Sequence, residues 1–288
     1  MPKIKKLLIL GPGLLGGSLG LAAKRHEIAK EVAIWGRNEE SLRFAISIGA
    51  ADTASLDIAN AARDAQIVVF ATPTRVFEQL ASQVCAYLPK QAVVTDVGSV
   101  KLRVCEVMDQ KFPGRFIGAH PMAGAEKSGI TNARAELFEN ATCILTPTDK
   151  HSDYALSEIE NFWSSLGCRV VHMSPNEHDL AVAYFSHLPH LLAAALVNST
   201  LPHAPARWKN IPGPGFRDTT RVASGPPQMW SEILTDNRAN LASAIAQFLT
   251  ALEQISSALR NDDPQPLEKL LRSAKQLREE IFLNNTLS

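Results

Sequence analysis

Apolar residues follow two rhythms along this chain of 288 residues, and the rhythm changes near position 174. In the first part, short continuous apolar runs at 6–10, 32–35, 67–71, 92–95 and 116–119 alternate with segments long enough for crossover helices. Unbroken runs of that length suit strands covered on both faces, and their alternation with helices predicts a mostly parallel, doubly wound sheet. Two further runs, 142–145 and 169–172, flank a helical pattern at 154–166 and are expected to extend the sheet. From Ser174 the texture is helical: Ser174-Pro-Asn-Glu177 has the form of a capping box with proline at the first helical position, and an Ala/Leu-rich pattern follows. Leu241, Ile245, Phe248, Leu252, Ile255 and Leu259 share one helical face, as do Leu267, Leu270, Leu271, Ala274, Leu277 and Ile281. Pro and Gly at 211–215 and 225–227 mark loops on either side of 216–223. The pattern therefore predicts an α/β domain over 1–173 and a helical domain over 174–288.

Composition narrows the possible partners. Lys plus Arg (29) balance Asp plus Glu (29), so no overall field draws the chain to nucleic acid or an anionic membrane. Cys85, Cys105, Cys143 and Cys168 form no CxxC pair, as expected of reduced thiols in a cytoplasmic protein. Lys3, Lys5 and Lys6 followed by apolar residues 7–23 have the outline of a signal peptide, but five glycines and Pro12 interrupt the run. A strand followed by a nucleotide-binding turn accounts for it better. No other apolar stretch is expected to be long enough to span a bilayer.

That turn is the first candidate site. Leu7-Leu-Ile-Leu10 runs into Gly11-Pro-Gly-Leu-Leu-Gly16 and then a helical pattern, the strand, turn and helix that bring backbone amides against a pyrophosphate. Gly11 permits the tight turn, Gly13 lets the phosphate approach, and Gly16 allows close packing of the helix. Leu14 and Leu15 open that helix, and Thr72, just past the run at 67–71, joins the candidate cofactor residues. Twenty positions after Gly16, where an NAD site usually carries a carboxylate for the ribose 2′-hydroxyl, this chain has Gly36 followed by Arg37. A glycine there does not repel a 2′-phosphate, and the guanidinium can pair with one, so NADP is expected over NAD. The plainer alternative is a solvated arginine after a strand.

The second candidate site starts from Gly118-Ala-His-Pro-Met-Ala-Gly-Ala-Glu-Lys-Ser-Gly129, in which His120 precedes a proline that biases it to extended backbone. Neutral imidazole suits a proton acceptor near pH 7, though a lone histidine can equally serve structure. Three other segments accompany it: Asp96-Val-Gly-Ser-Val-Lys101, Ser186-His-Leu-Pro-His190 and Gly215-Phe-Arg-Asp-Thr-Thr-Arg-Val-Ala223. Ser99 could equally cap the helix predicted after Val100, and Lys101 could approach a ligand or lie solvated. His187 and His190 are three apart on a helix, with Pro189 expected to kink it. A metal is their rival reading, but no HExxH or neighbouring carboxylate completes a ligand set, and none is expected.

Together with the glycine turn, and in the same order, these segments and Met229-Trp230 resemble the prephenate and arogenate dehydrogenase family of tyrosine biosynthesis. The resemblance implies an N-terminal Rossmann domain, a C-terminal all-helical dimerisation domain, and an active site between them. It implies that His120 accepts or polarises the proton of the ring hydroxyl while hydride leaves for the nicotinamide. Ser99 would contact that hydroxyl, His190 would face the substrate with His187 in support, and Arg221 would grip a carboxylate. Arg217 and Asp218 read first as a structural ion pair and, with Glu126 and Lys127, as candidates to gate the cleft; Trp230 is first a core aromatic, then a pocket wall. Ala125-Glu126-Lys127-Ser128 favours prephenate, whereas the Gly36-Arg37 strand end is common among arogenate users. A 3-hydroxyacid dehydrogenase and a non-catalytic NADP-binding sensor remain as rival readings.

Overall fold

The computed structural model describes residues 4–124, 127–208, 210–260 and 262–284. The first part alternates β1 (Ile4–Leu10), α1 (Leu14–Arg25), β2 (Ala29–Trp35), α2 (Glu39–Ser47), β3 (Thr53–Ser55), α3 (Ile58–Ala62), β4 (Ile67–Phe70), α4 (Phe77–Val84), β5 (Val93–Asp96), α5 (Leu102–Lys111) and β6 (Phe116–Pro121). Then come β7 (Thr142–Thr146), α6 (Asp153–Ser165) and β8 (Arg169–His172). The strands form one eight-stranded sheet in the order β3-β2-β1-β4-β5-β6-β7-β8. The strands from β3 across to β6 pair in parallel, β7 runs antiparallel to β6, and β8 is parallel to β7. The run once resembling a signal peptide is thus a central strand and its first helix.

Strand periodicity distributes the core between two layers. Leu7 and Ile9 point into one cluster with Leu19, Ile159, Phe162 and Trp163, while Leu8 and Leu10 point into another with Phe70, Phe77, Met108 and Phe112. Covered on both faces, the sheet sends its chemistry to the strand ends. β3 is the element the apolar pattern does not predict: three residues long and half exposed, it has no apolar run to betray it.

The helical part comprises α7 (Pro175–Val182), α8 (Leu188–Thr200), α9 (Pro214–Thr220), α10 (Pro227–Asp236), α11 (Arg238–Leu259) and α12 (Gln265–Asn284). Ser174 caps α7 by accepting the Glu177 amide at 3.2 Å, and Pro175 occupies its first turn. A π turn, Ala183–His187, joins α7 to α8. The irregularity expected at Pro189 takes this form, since proline offers no amide to the Phe185 carbonyl one α turn back. The continuous helix Pro175–His203 corrects one expectation: by length and composition it is apolar enough to cross a membrane. It nevertheless packs α7 against α5 and β7 and buries His178, Asp179, His187 and His190.

Two compact units divide the chain after Arg238. Helices α7 to α10 belong with the sheet unit, although the helical texture begins at Ser174. The second unit, from Ala239, holds nearly all of α11 and the whole of α12. Leu252, Leu259, Leu271, Leu277 and Ile281, all on the apolar faces read from periodicity, are exposed there.

Candidate active site

The nucleotide turn sits where β1 ends. Gly11 has φ +121°, a conformation L side chains rarely adopt, and its amide donates to the Trp35 carbonyl at 2.9 Å. A Cβ on Gly16 would stand 2.0 Å from the Gly11 carbonyl oxygen, so α1 starts as close to β1 as backbone allows. Gly13 is the N-cap and no side chain caps the helix; its first turn carries no acid. The amides of Leu14, Leu15 and Gly16 therefore face outward with no intrahelical acceptor, beside open space in front of Gly13. Across the turn the Thr72 hydroxyl is buried with no partner among the described residues. These features fit the diphosphate of a dinucleotide. Gly36 is buried at the end of β2 and Arg37 is exposed beside it.

At the same carboxyl edge of the sheet, the end of β6 carries His120 into a set of buried polar groups. His120 Nδ1 lies 2.8 Å from His178 Nε2, and His178 Nδ1 lies 2.7 Å from Asp179 Oδ1. Asp179 also accepts the Lys101 amide at 2.7 Å and the Leu102 amide at 3.0 Å, so the helix cap of α5 is a carboxylate 77 residues away from Leu102. Ser99 is not that cap: it is half buried in the loop between β5 and α5. Nor is Lys101 solvated. It is fully buried, its ammonium paired with Asp96 and donating to the Ala119 carbonyl at 2.9 Å. Asp96 accepts the Ala119 amide at 3.0 Å, so this ion pair clamps the residue immediately before His120.

The hydrogen bonds define the proton positions. Burial pushes the Asp179 pKa up, but the hydrogen bonds from His178 and the two α5 amides outweigh it and hold the carboxyl below its ordinary value. An ionised carboxylate only accepts, so His178 carries its proton on Nδ1 and accepts at Nε2. His120 must then donate from Nδ1, which leaves Nε2 as a lone pair. Burial, followed by the neighbouring His178, Lys101 and His187, holds His120 well below the ordinary histidine value and keeps it neutral.

Asn237 fixes a second histidine. Its amide donates to the Asp179 carbonyl at 2.6 Å and to His187 Nδ1 at 3.1 Å, so His187 carries its proton on Nε2. Burial lowers the His187 pKa to about 4. His190, also lowered by burial, stacks on Trp230 at 3.6 Å between ring centroids, and His187 meets the same ring edge-on at 6.3 Å. His187 Nε2 and His190 Nδ1 are buried with no partner among the described residues, as groups reserved for a ligand would be.

The π turn puts these rings on one side of the helix. In an uninterrupted α-helix His190 would lie about 120° round from His178; absorbing one extra residue takes back about 100° and leaves about 20°.

The structure thus gathers His120, His187, His190 and Trp230 and adds His178, Asp179 and Asn237, which the motif reading did not single out. The available signal was His178-Asp179 directly after the capping box, on the helix that also bears His187 and His190. Arg221 is exposed on the 3-10 turn Arg221–Ser224, which packs on α8, and Lys127 is exposed. Glu126 lies outside the described residues.

An amide cradle for a diphosphate and a neutral, oriented histidine base together define a pyridine-nucleotide-dependent dehydrogenase. Residues 19–172 match the family described as prephenate dehydrogenase, nucleotide-binding domain, and residues 174–273 match prephenate dehydrogenase, dimerization domain. The chain belongs to the prephenate dehydrogenase family, and it is an oxidoreductase of prephenate/arogenate dehydrogenase type. It is 34% identical to prephenate dehydrogenase of Bacillus subtilis, over 96% of this chain and 76% of that protein. It is 29% identical to cyclohexadienyl dehydrogenase of Zymomonas mobilis, over 96% of each chain. Among solved structures, prephenate dehydrogenase from Aquifex aeolicus in complex with hydroxyphenyl propionate and NAD+ superposes with TM-score 0.90 at 32% identity, covering 97% of this chain and 99% of that one. Synechocystis arogenate dehydrogenase gives TM-score 0.83 at 30% identity, covering 96% and 99%.

Proposed function

We propose that this enzyme converts prephenate to 4-hydroxyphenylpyruvate and carbon dioxide, prefers NADP, and works in the cytoplasm as a homodimer. The observation that carries the catalytic reading is the chain His120–His178–Asp179, which leaves Nε2 as the nitrogen of the His120 ring able to take a proton from a bound hydroxyl. A nicotinamide cofactor held by the Gly11–Gly16 turn would supply the hydride acceptor. As hydride leaves the ring carbon bearing the hydroxyl, His120 Nε2 takes the hydroxyl proton and the carbon–oxygen bond gains double-bond character. Loss of the ring carboxylate as carbon dioxide then returns an electron pair to the ring. The oxygen takes its proton back from His120, and the phenol is formed with no net proton released.

The remaining roles in this reading are those the family resemblance implies. Ser99 orients the hydroxyl, His187 Nε2–H donates to a substrate oxygen, and His190, held flat by Trp230, lines the pocket. Arg221 grips a carboxylate. Leu14, Leu15 and Gly16 hold the diphosphate through their amides, Gly11 and Gly13 give it room, and Thr72 borders it. Arg37 beside Gly36 meets the ribose 2′-phosphate. The Zymomonas relative named as a cyclohexadienyl dehydrogenase and the Synechocystis arogenate dehydrogenase favour a second reading, in which arogenate is accepted as well.

Initial rates with prephenate and arogenate, each with NAD and NADP, test the proposal; no turnover of prephenate with either cofactor would overturn it. The exposed Leu252, Leu259, Leu271, Leu277 and Ile281 support the homodimer, as apolar surface awaiting a second copy. A monomer mass by light scattering at micromolar concentration would contradict it.

A further inference from the structure

Gly36 is packed against the nucleotide turn itself. The hydrogen bond from Gly11 to the Trp35 carbonyl lays the start of the turn across the end of β2, and Pro12 lands on Gly36. A Cβ on Gly36 would stand 2.7 Å from Pro12 Cδ and 2.8 Å from Pro12 Cγ, with Leu42 Cδ2 at 3.3 Å. Contacts below 3.0 Å force a shift. The pyrrolidine ring cannot swing aside as a long flexible side chain would, because it is part of the backbone. The neighbouring polar side chain offers no substitute: Asn38 Oδ1 accepts the Ser41 amide at 2.9 Å and is committed to capping α2.

We infer that Pro12 is a cofactor-specificity determinant: its ring fills the space over residue 36 and bars any side chain, and so any ribose-binding carboxylate, from the end of β2. The inference rests on the proposed preference for NADP and supplies its steric cause. Position 36 is empty because Pro12 occupies its side-chain volume, and Arg37 is the first residue past the strand free to carry a side chain toward a phosphate. Gly36→Asp alone therefore displaces the turn rather than creating an NAD site. Pro12→Ala keeps one carbon and removes Cγ and Cδ, the two clashing atoms, and so makes the room an aspartate needs.

The test is a double-mutant cycle read by binding. NAD and NADP are titrated calorimetrically into wild type, Pro12→Ala, Gly36→Asp and the double variant, with thermal midpoints measured for all four. Gly36→Asp should weaken both cofactors about tenfold or more and lower the midpoint, and Pro12→Ala supplies the other single-variant reference of the cycle. The double variant should recover its midpoint, bind NAD at least as tightly as wild type, and bind NADP about ten- to a hundredfold more weakly. The inference is overturned if Gly36→Asp alone keeps full NAD affinity, or if the double variant binds NAD no better than Gly36→Asp. Should Gly36→Asp not fold, Gly36→Ala with and without Pro12→Ala reads the same coupling. If wild type binds both cofactors equally, the NADP preference fails, whereas recovery of NAD binding and midpoint in the double variant still reports on Pro12.

Discussion

The two ends of this active site are built from opposite materials. The nucleotide turn is backbone: glycines, unpaired amides at the start of α1 and an exposed Arg37. The histidine cluster is side chain: His120, His178, Asp179, Asn237 and His187 joined by short hydrogen bonds and closed to solvent. A backbone site tolerates changes in side-chain chemistry and fails when volume is added. A side-chain relay tolerates neither a lost proton position nor a lost partner. The difference teaches where charge would matter: near Arg37 an exposed charge faces solvent, whereas at Asp179 a buried one fixes the proton positions of His178 and His120.

The largest effect that would break this contrast is expected at His120. His120→Asn should lower turnover about a hundredfold or more with cofactor affinity unchanged, and near-normal steady-state rates would remove it from catalysis. Asp179→Asn should follow at about ten- to a hundredfold in turnover, because the amide cannot accept from His178 and both α5 amides at once. Its pH–rate profile should change shape as well; a stability loss with an unaltered profile would make Asp179 structural only.

Acid should unfold the relay before it affects the turn. The folded pKa of His187, near 4, is below its ordinary 6.5, so the unfolded chain binds the extra proton first. Stability is fully present above about pH 6.5 and falls as pH drops toward 4, by on the order of 3 kcal/mol from this residue at 1.36 kcal/mol per pH unit. Urea midpoints at pH 7 and pH 4.5 measure it, and equal midpoints would contradict it. The smallest effect is at the backbone end: Arg37→Ala should weaken NADP about tenfold and leave NAD nearly unchanged, by titration of both. Equal weakening of both would make Arg37 a surface residue without a role in cofactor choice.

Periodicity made the parallel strands legible because burial on both faces writes them as unbroken apolar runs, as at Ile67–Phe70. Motifs pointed to His120, His187 and His190 because spacing along the chain is what a motif records. His178 and Asp179 escaped because their importance lies in partners 58 and 78 residues distant, His120 and Lys101. Lys101 was legible only as a lysine after a strand; its burial depends on Asp96 and the Ala119 carbonyl, which the sheet brings together. Ser99 sits where a helix cap is expected by sequence, yet the capping carboxylate arrives from another helix.

The π turn between α7 and α8 makes the register of one helix carry information that its composition does not. Removing one residue from Ala183–His187, for example Phe185, 76% exposed, would let the segment close into plain α-helix. Helical content and hydropathy would hardly change, but everything beyond would turn by about 100° and His190 would leave the side of the helix that His178 faces. In this segment an alignment gap of a single residue therefore means more than a substitution. A relative one residue shorter here would present different side chains of the same helix beside His178.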